Sequence, residues 1–141
     1  MRQLVHRRSS SGRGAPRPLV GWSLLAIAAG HLAAAPLVYP DSLRSTLDAG
    51  VVGAVERDPA LIPLRGVGFW YIMTGIGWGL LGGVVRWCEL RVGAPPKKLG
   101  WALAVASAWG VTLMPKSGFW ALFVPAALVF RANRPTGRRG R

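Results

Sequence analysis

Cysteine is almost missing from this chain: Cys88 stands alone, so no internal disulfide can form and cysteine usage leaves the redox compartment open. Acids are scarce too, five Asp and Glu against eighteen Lys and Arg. Of the two histidines, only His31 lies inside an apolar stretch. With no second histidine, cysteine pair or carboxylate within those stretches, no metal set assembles around it. A Ser-His-Asp set within them is excluded on the same ground. No cofactor is implied.

What the chain does have is long apolar runs. Leu19–Val38, Gly66–Val85, Leu99–Met114 and Gly118–Phe130 make up about half of it, and almost every charge lies between them or at the ends. The first two are about 20 residues each, enough for an α-helix to cross roughly 30 Å of hydrocarbon. The other two are shorter and taken alone would also fit a buried hairpin or a re-entrant segment. Lys97, Lys98, Arg131 and Arg134 extend them, because long basic side chains lie along a helix and carry their charges to the head groups. Met114-Pro115-Lys116-Ser117-Gly118 reads as a tight hairpin whose turn residues are Pro115, Ser117 and Gly118. The expected fold is all-α, a four-transmembrane-helix bundle over residues 19–131. A disordered basic arm (1–18) and a basic tail (132–141) flank it.

Basic residues give the orientation. Fourteen Lys and Arg precede the first run, separate the second from the third, or follow the fourth. Only Arg44, Arg57, Arg65 and Lys116 fall on the other side, with Asp41, Asp48, Glu56 and Asp58. Positive loops stay cytoplasmic during insertion, so a multi-pass protein of a bacterial inner (plasma) membrane is expected, both termini cytoplasmic. Trp22, Trp87 and Trp101 then mark one interface, and Tyr39, Trp70, Tyr71 and Trp120 the other. The run after Arg7-Arg8 is too long for an ordinary export signal, and Pro36 directly follows the small-residue site Ala33-Ala34-Ala35, which opposes cleavage there. A net charge of +13 would suggest nucleic acid in a soluble chain. Without a folded basic domain carrying interleaved aromatics, the partner expected for the tails is anionic lipid, worth about 1 kcal/mol per charge.

Between the first two runs, Leu43, Leu47, Val51 and Val55 recur every four residues. They predict an extracytoplasmic amphipathic helix over Asp41–Asp58, weakened by Gly50 and Gly53 and stopped by Pro59. Gly75, Gly79 and Gly83 form a small-xxx-small stripe for helix packing, against this chain or a second copy of it. Counting rise along the helices puts Thr74 and Thr112 at the depth of His31, so these three form a candidate intramembrane ligand or polar cluster. The alternative is structural: a neutral His31 satisfied by threonine hydroxyls or by carbonyls freed near Pro36.

Several local sequences repeat a known pattern: Gly30-His31; Asp48-Ala49-Gly50; Phe69-Trp70 with Gly75; Pro95-Pro96 with Leu99-Gly100-Trp101. The most specific is Met114-Pro115-Lys116-Ser117-Gly118-Phe119-Trp120. Over roughly residues 20–130 the chain resembles a family of small bacterial four-helix membrane proteins catalogued as a domain of unknown function, in which a hydrophobic residue is usual where Lys116 stands. The resemblance implies a four-helix bundle and brings no activity, substrate or cofactor. Three roles stay open: a non-enzymatic accessory or lipid-contacting component, which needs least; an oligomeric small-solute transporter, lined by His31, Thr74, Ser107 and Thr112; or a membrane enzyme holding a quinone-like ligand among His31, Tyr39, Tyr71 and the 41–58 segment.

Overall fold

A computed structural model describes residues 18–134; most of the expected arm and tail lies outside the described residues. Five α-helices follow in order: α1 (Leu19–Val38), α2 (Pro40–Asp48), α3 (Ile62–Val92), α4 (Lys97–Leu113) and α5 (Phe123–Ala132). Short 3-10 turns, Pro59–Leu61 and Gly118–Leu122, lead into α3 and α5. There is no strand among the described residues. Two helices are long and apolar enough to cross a membrane, α1 and the Pro59–Val92 segment, rather than the four expected. The reasons are local: α4 opens on Lys97-Lys98, and Gly118–Ala132 is apolar but short.

α3 extends beyond the apolar run at both ends, to 31 residues or about 46 Å. Arg65 and Arg86 bound the run without ending the helix, and they stand about 30 Å apart along its axis, the thickness of a hydrocarbon core. Gly93 then stops the helix at a φ of 94°, and its N–H closes on the Glu89 carbonyl at 3.0 Å.

α1 packs antiparallel against α3 at very short range. Gly21 lies on the backbone of Arg86, Leu25 on Gly82, Ala28 on Gly79 and Leu32 on Gly75. A Cβ on Gly75 would sit 2.6 Å from Leu32, and one on Gly82 3.0 Å from Leu25, whereas Gly79 has ordinary room and Gly83 faces open space. The seam is therefore Gly68, Gly75, Gly82 and Glu89, all buried and seven residues apart. The expected four-residue stripe departs from it because each step of four turns about 40° around the helix, so Gly83 has left the face that Gly75 occupies. A step of seven drifts only about 20°, which keeps a seam on its partner.

α4 uses the same device towards α5. Gly100, Leu103, Ser107 and Gly110 are its buried residues, at the alternating three-and-four spacing of a packing seam. Gly100 admits the Phe130 ring and Gly110 the Phe119 ring. The Ser107 hydroxyl donates to the Phe119 carbonyl at 2.7 Å. No Cα of α4 comes within 8 Å of a Cα of α1 or α3, so the helices lie in the order α3, α1, α5, α4 rather than in a closed ring. Val20, Leu24, Val85, Leu103, Leu122, Ala126 and Val129 form the core where they converge.

The expected amphipathic helix is shorter than its apolar pattern. α2 ends at Asp48, and Gly50, Val51 and Gly53 take φ values of 83°, 64° and 65°, which no helix continues. Its packed side is polar, with Ser42 buried against Gly68, while Leu47 faces outward, 66% exposed.

The seam makes a direct prediction. Gly75→Val should lower the midpoint of unfolding in detergent micelles, at a cost of about 1–3 kcal/mol from overpacking. Gly83→Val, with the same change in helix propensity but open space around it, should cost well under that. The reverse order would assign packing to the four-residue stripe.

Candidate functional site

Three polar clusters interrupt the apolar surfaces. At the N-terminal end of α3, Ser42 receives the Gly68 N–H at 3.1 Å and donates to the Arg65 carbonyl at 3.4 Å. Arg65 is only 8% exposed. Its Nε donates to Ser45 Oγ at 2.8 Å and its Nη1 to the Ala54 carbonyl at 2.7 Å. Arg57 fastens the following loop from outside, donating to the Ala49 and Val52 carbonyls at 2.5 and 2.8 Å. Asp41, Arg44, Ser45, Asp48, Ala49 and Arg65 line an open groove of about 400 Å³ between α2 and α3.

Deeper along the same seam lies His31. Its ring stacks on Tyr71 at 3.8 Å and 16°, and Tyr39 meets Tyr71 edge-on at 5.1 Å. His31 Nε2 lies 3.0 Å from the Tyr71 carbonyl, which can only accept, so Nε2 carries the proton. Gly75 makes this possible: a Cβ there would reach 3.1 Å from the imidazole. Neither threonine joins it by a hydrogen bond. Thr74 donates to Trp70 and Thr112 to Ala108, each within its own helix at 2.8 Å, and both are exposed. Rise per residue sets depth, but 100° per residue sets the face, and Thr74 is one step around from inward-facing Gly75.

The C-terminal end of α3 carries the third cluster. α1 starts after Pro18, which supplies no side-chain cap. Glu89 of α3 supplies one instead: 4% exposed, its carboxylate accepts the Val20 and Gly21 N–H groups at 3.0 and 2.8 Å. A carboxylate at a helix N-terminus meets both the free donors and the positive end of the helix dipole. Beside it the Arg86 guanidinium lies 4.9 Å over the Trp22 ring, and its Nε is buried with no hydrogen-bond partner.

The α4–α5 connection is tied by Ser117, which donates to the Met114 carbonyl at 2.6 Å and accepts the Phe119 N–H at 3.4 Å. Trp120 Nε1 donates to the Pro115 carbonyl at 2.9 Å, and Gly118 opens the 3-10 turn. Cys88 is free and half-buried. Among the described residues no three His, Cys, Asp or Glu side chains gather. Sequence reading missed the contacts of Glu89, Arg65 and Ser42, and considered Ser107 only as transporter lining. The available signal was that Glu89 is the one acid among the basic residues between the second and third apolar runs, and that Arg65 is the cation directly before the second run.

These elements define an all-α protein with two helices able to cross a membrane by length and composition. Over residues 15–136 the sequence matches the Family of unknown function (DUF6463), and the chain belongs to that family. No curated protein and no solved structure matches it.

Removing the cap should loosen α1 from its first turn. Glu89→Ala is expected to cost about 1–3 kcal/mol, the penalty for leaving buried donors unpaired. Hydrogen exchange should show the Val20 and Gly21 amides accelerating before the middle of α1 does. Uniform acceleration along α1 would mean that Glu89 has no special hold on that end.

Proposed function

We propose that this protein is a non-enzymatic accessory or lipid-contacting component of a bacterial inner membrane, crossing it four times with both termini in the cytoplasm. One observation carries the reading: the serine, threonine and histidine side chains within the apolar segments are spent on backbone carbonyls. Ser23 donates to Val20, His31 to Tyr71, Thr74 to Trp70, Ser107 to Phe119 and Thr112 to Ala108. Such bonds hold helices in an apolar medium, and they do not converge on a shared path or a reacting centre. Trp70, Leu80, Val84, Val105 and Trp109 point outward, as a lipid-facing surface requires.

The charge partition supports the proposed sidedness. Glu89 meets the start of α1, and Asn133 donates to the Pro95 carbonyl at 2.9 Å. These contacts gather Arg86, Arg91, Lys97, Lys98, Arg131 and Arg134 at one end of the fold, away from Arg44, Arg57 and Arg65.

Two measurements test this. In a Cys88→Ala background, Asp58→Cys and Lys116→Cys should react with an impermeant maleimide on intact cells, and Arg138→Cys only after permeabilisation. Labelling of Arg138→Cys from outside would reverse the topology. Organic extracts of purified wild type and His31→Ala should contain no quinone-like absorbance, and the variant should differ only by a lower melting temperature. A chromophore present in wild type and lost in His31→Ala would transfer the protein to the ligand-handling class.

A further inference from the structure

We infer that the groove between α2 and α3 binds the phosphoethanolamine head group of a zwitterionic phospholipid, its phosphate held by Arg65 and Arg44 and its ammonium by Asp41 and Asp48. The inference deepens the lipid-contacting reading above and rests on it.

Arg65 is nine-tenths buried, and the described bonds of its guanidinium run from Nε and Nη1 to a hydroxyl and a backbone carbonyl. Both acceptors are neutral, so the charge is held in place without being cancelled. No described residue accepts from Nη2, and Arg65 lines the groove. A fixed guanidinium with a spare edge is suited to a phosphate oxygen, since its planar fork is already oriented.

The groove's other charges choose among phosphates. Arg44 adds a second cation, and Asp41 and Asp48 add two carboxylates. With two charges of each sign the groove does not select for net anions. It fits a ligand that carries both signs, joined by a short link. Along α2, Asp41, Arg44 and Asp48 occupy successive turns of one face, about 5 Å apart, so neighbouring sites of opposite sign are one turn from each other.

Position argues for a lipid as the source. Arg65 stands about 30 Å of helix from Arg86, which puts the groove at head-group level when the run between them spans the hydrocarbon. Leu47 on the same helix is 66% exposed, and Val52, tied back through Arg57, is 82% exposed. These give acyl chains an apolar rim. A volume of about 400 Å³ is within the range of small-ligand sites.

The test uses the full chain in nanodiscs of equal phosphatidylethanolamine, phosphatidylcholine and phosphatidylglycerol, with retained lipid read by native mass spectrometry. Wild type should keep phosphatidylethanolamine over phosphatidylglycerol by about fivefold, the scale of a screened charge contact. Phosphatidylcholine, whose ammonium has no N–H to give Asp41 or Asp48, should be retained less as well. Asp41→Asn/Asp48→Asn should abolish the preference, and Arg44→Gln should reduce retention of every phospholipid. These exposed residues leave the fold intact where Arg65→Met endangers it. Equal retention by wild type, or an unchanged ratio in the double variant, overturns the proposal. Displacement by soluble phosphoethanolamine at concentrations matching the lipid would overturn the lipid source. Nanodiscs expose both faces, so retention is independent of sidedness. Inward labelling at Lys116→Cys with the preference intact would remove only the topology.

Discussion

The close approach of α1 to α3 is the contact on which the rest of this structure hangs. Apolar helices in lipid gain little by hiding from their surroundings, because the acyl chains are as apolar as they are. What remains is dispersion, which falls away within a fraction of an ångström, and a few hydrogen bonds. Gly21, Gly75 and Gly82 remove the side chains that would hold the backbones apart. Where the interface is not glycine, it is made of groups that need the same proximity. His31 can reach the Tyr71 carbonyl only across Gly75, and Glu89 can reach the α1 amides only where Gly21 meets Arg86.

Both ends of α3 turn a difficult charge into a fixture. Arg65 and Glu89 are buried, and each is supplied with backbone groups of opposite polarity: carbonyl oxygen for the guanidinium, helix N–H groups for the carboxylate. Burying an ion without such partners costs several kcal/mol. The two ends differ in what they leave over. The Glu89 oxygens point into α1, whereas Arg65 keeps an edge towards an open groove. That difference leaves an uncancelled charge at the N-terminal end of α3 and gives the C-terminal end a structural role.

The sequence made legible whatever depends on length and apolarity. The bounds of α1 coincide with the first apolar run, and the Met114–Gly118 turn falls where its Pro, Ser and Gly predicted. The second run gave a helix but not its ends, because Arg65 and Arg86 terminate apolarity while remaining good helix residues. Facing was the harder matter. The choice between glycines four and seven apart is a difference of drift around one axis, and it is settled by the partner helix, which periodicity within α3 does not contain. The His31, Thr74 and Thr112 grouping used depth alone, so it found the level of Thr74 and missed its face. Glu89 as a cap for α1 was out of reach of local reading: Glu89 and Gly21 are 68 residues apart, and the hints were only that Pro18 could not cap the helix itself and that Glu89 stands as a lone acid among basic residues.

The chain's path between its two hairpins follows from one short segment. Gly93 ends α3 in the left-handed region, and Pro95-Pro96 cannot rebuild the helix, so the backbone leaves the α3 axis sharply. Pro95 is fully buried, and its carbonyl accepts from Asn133 at the end of α5. The segment is thus fastened to α5 through Pro95 as well as to α3 through Cys88, whose Sγ donates to the Ala94 carbonyl at 3.8 Å, and α4, next after α3 in sequence, packs with the helix that follows it. α1 becomes the shared wall, with α3 on one side and α5 on the other. Tension at the α1 start then reaches both hairpins, since Val20 and Leu24 lie in the same core cluster as Val85 of α3 and Val129 of α5. A helix placed there cannot fray from its first turn without loosening both, and a cap delivered by Glu89 from α3 couples the helix start to the packing that needs it.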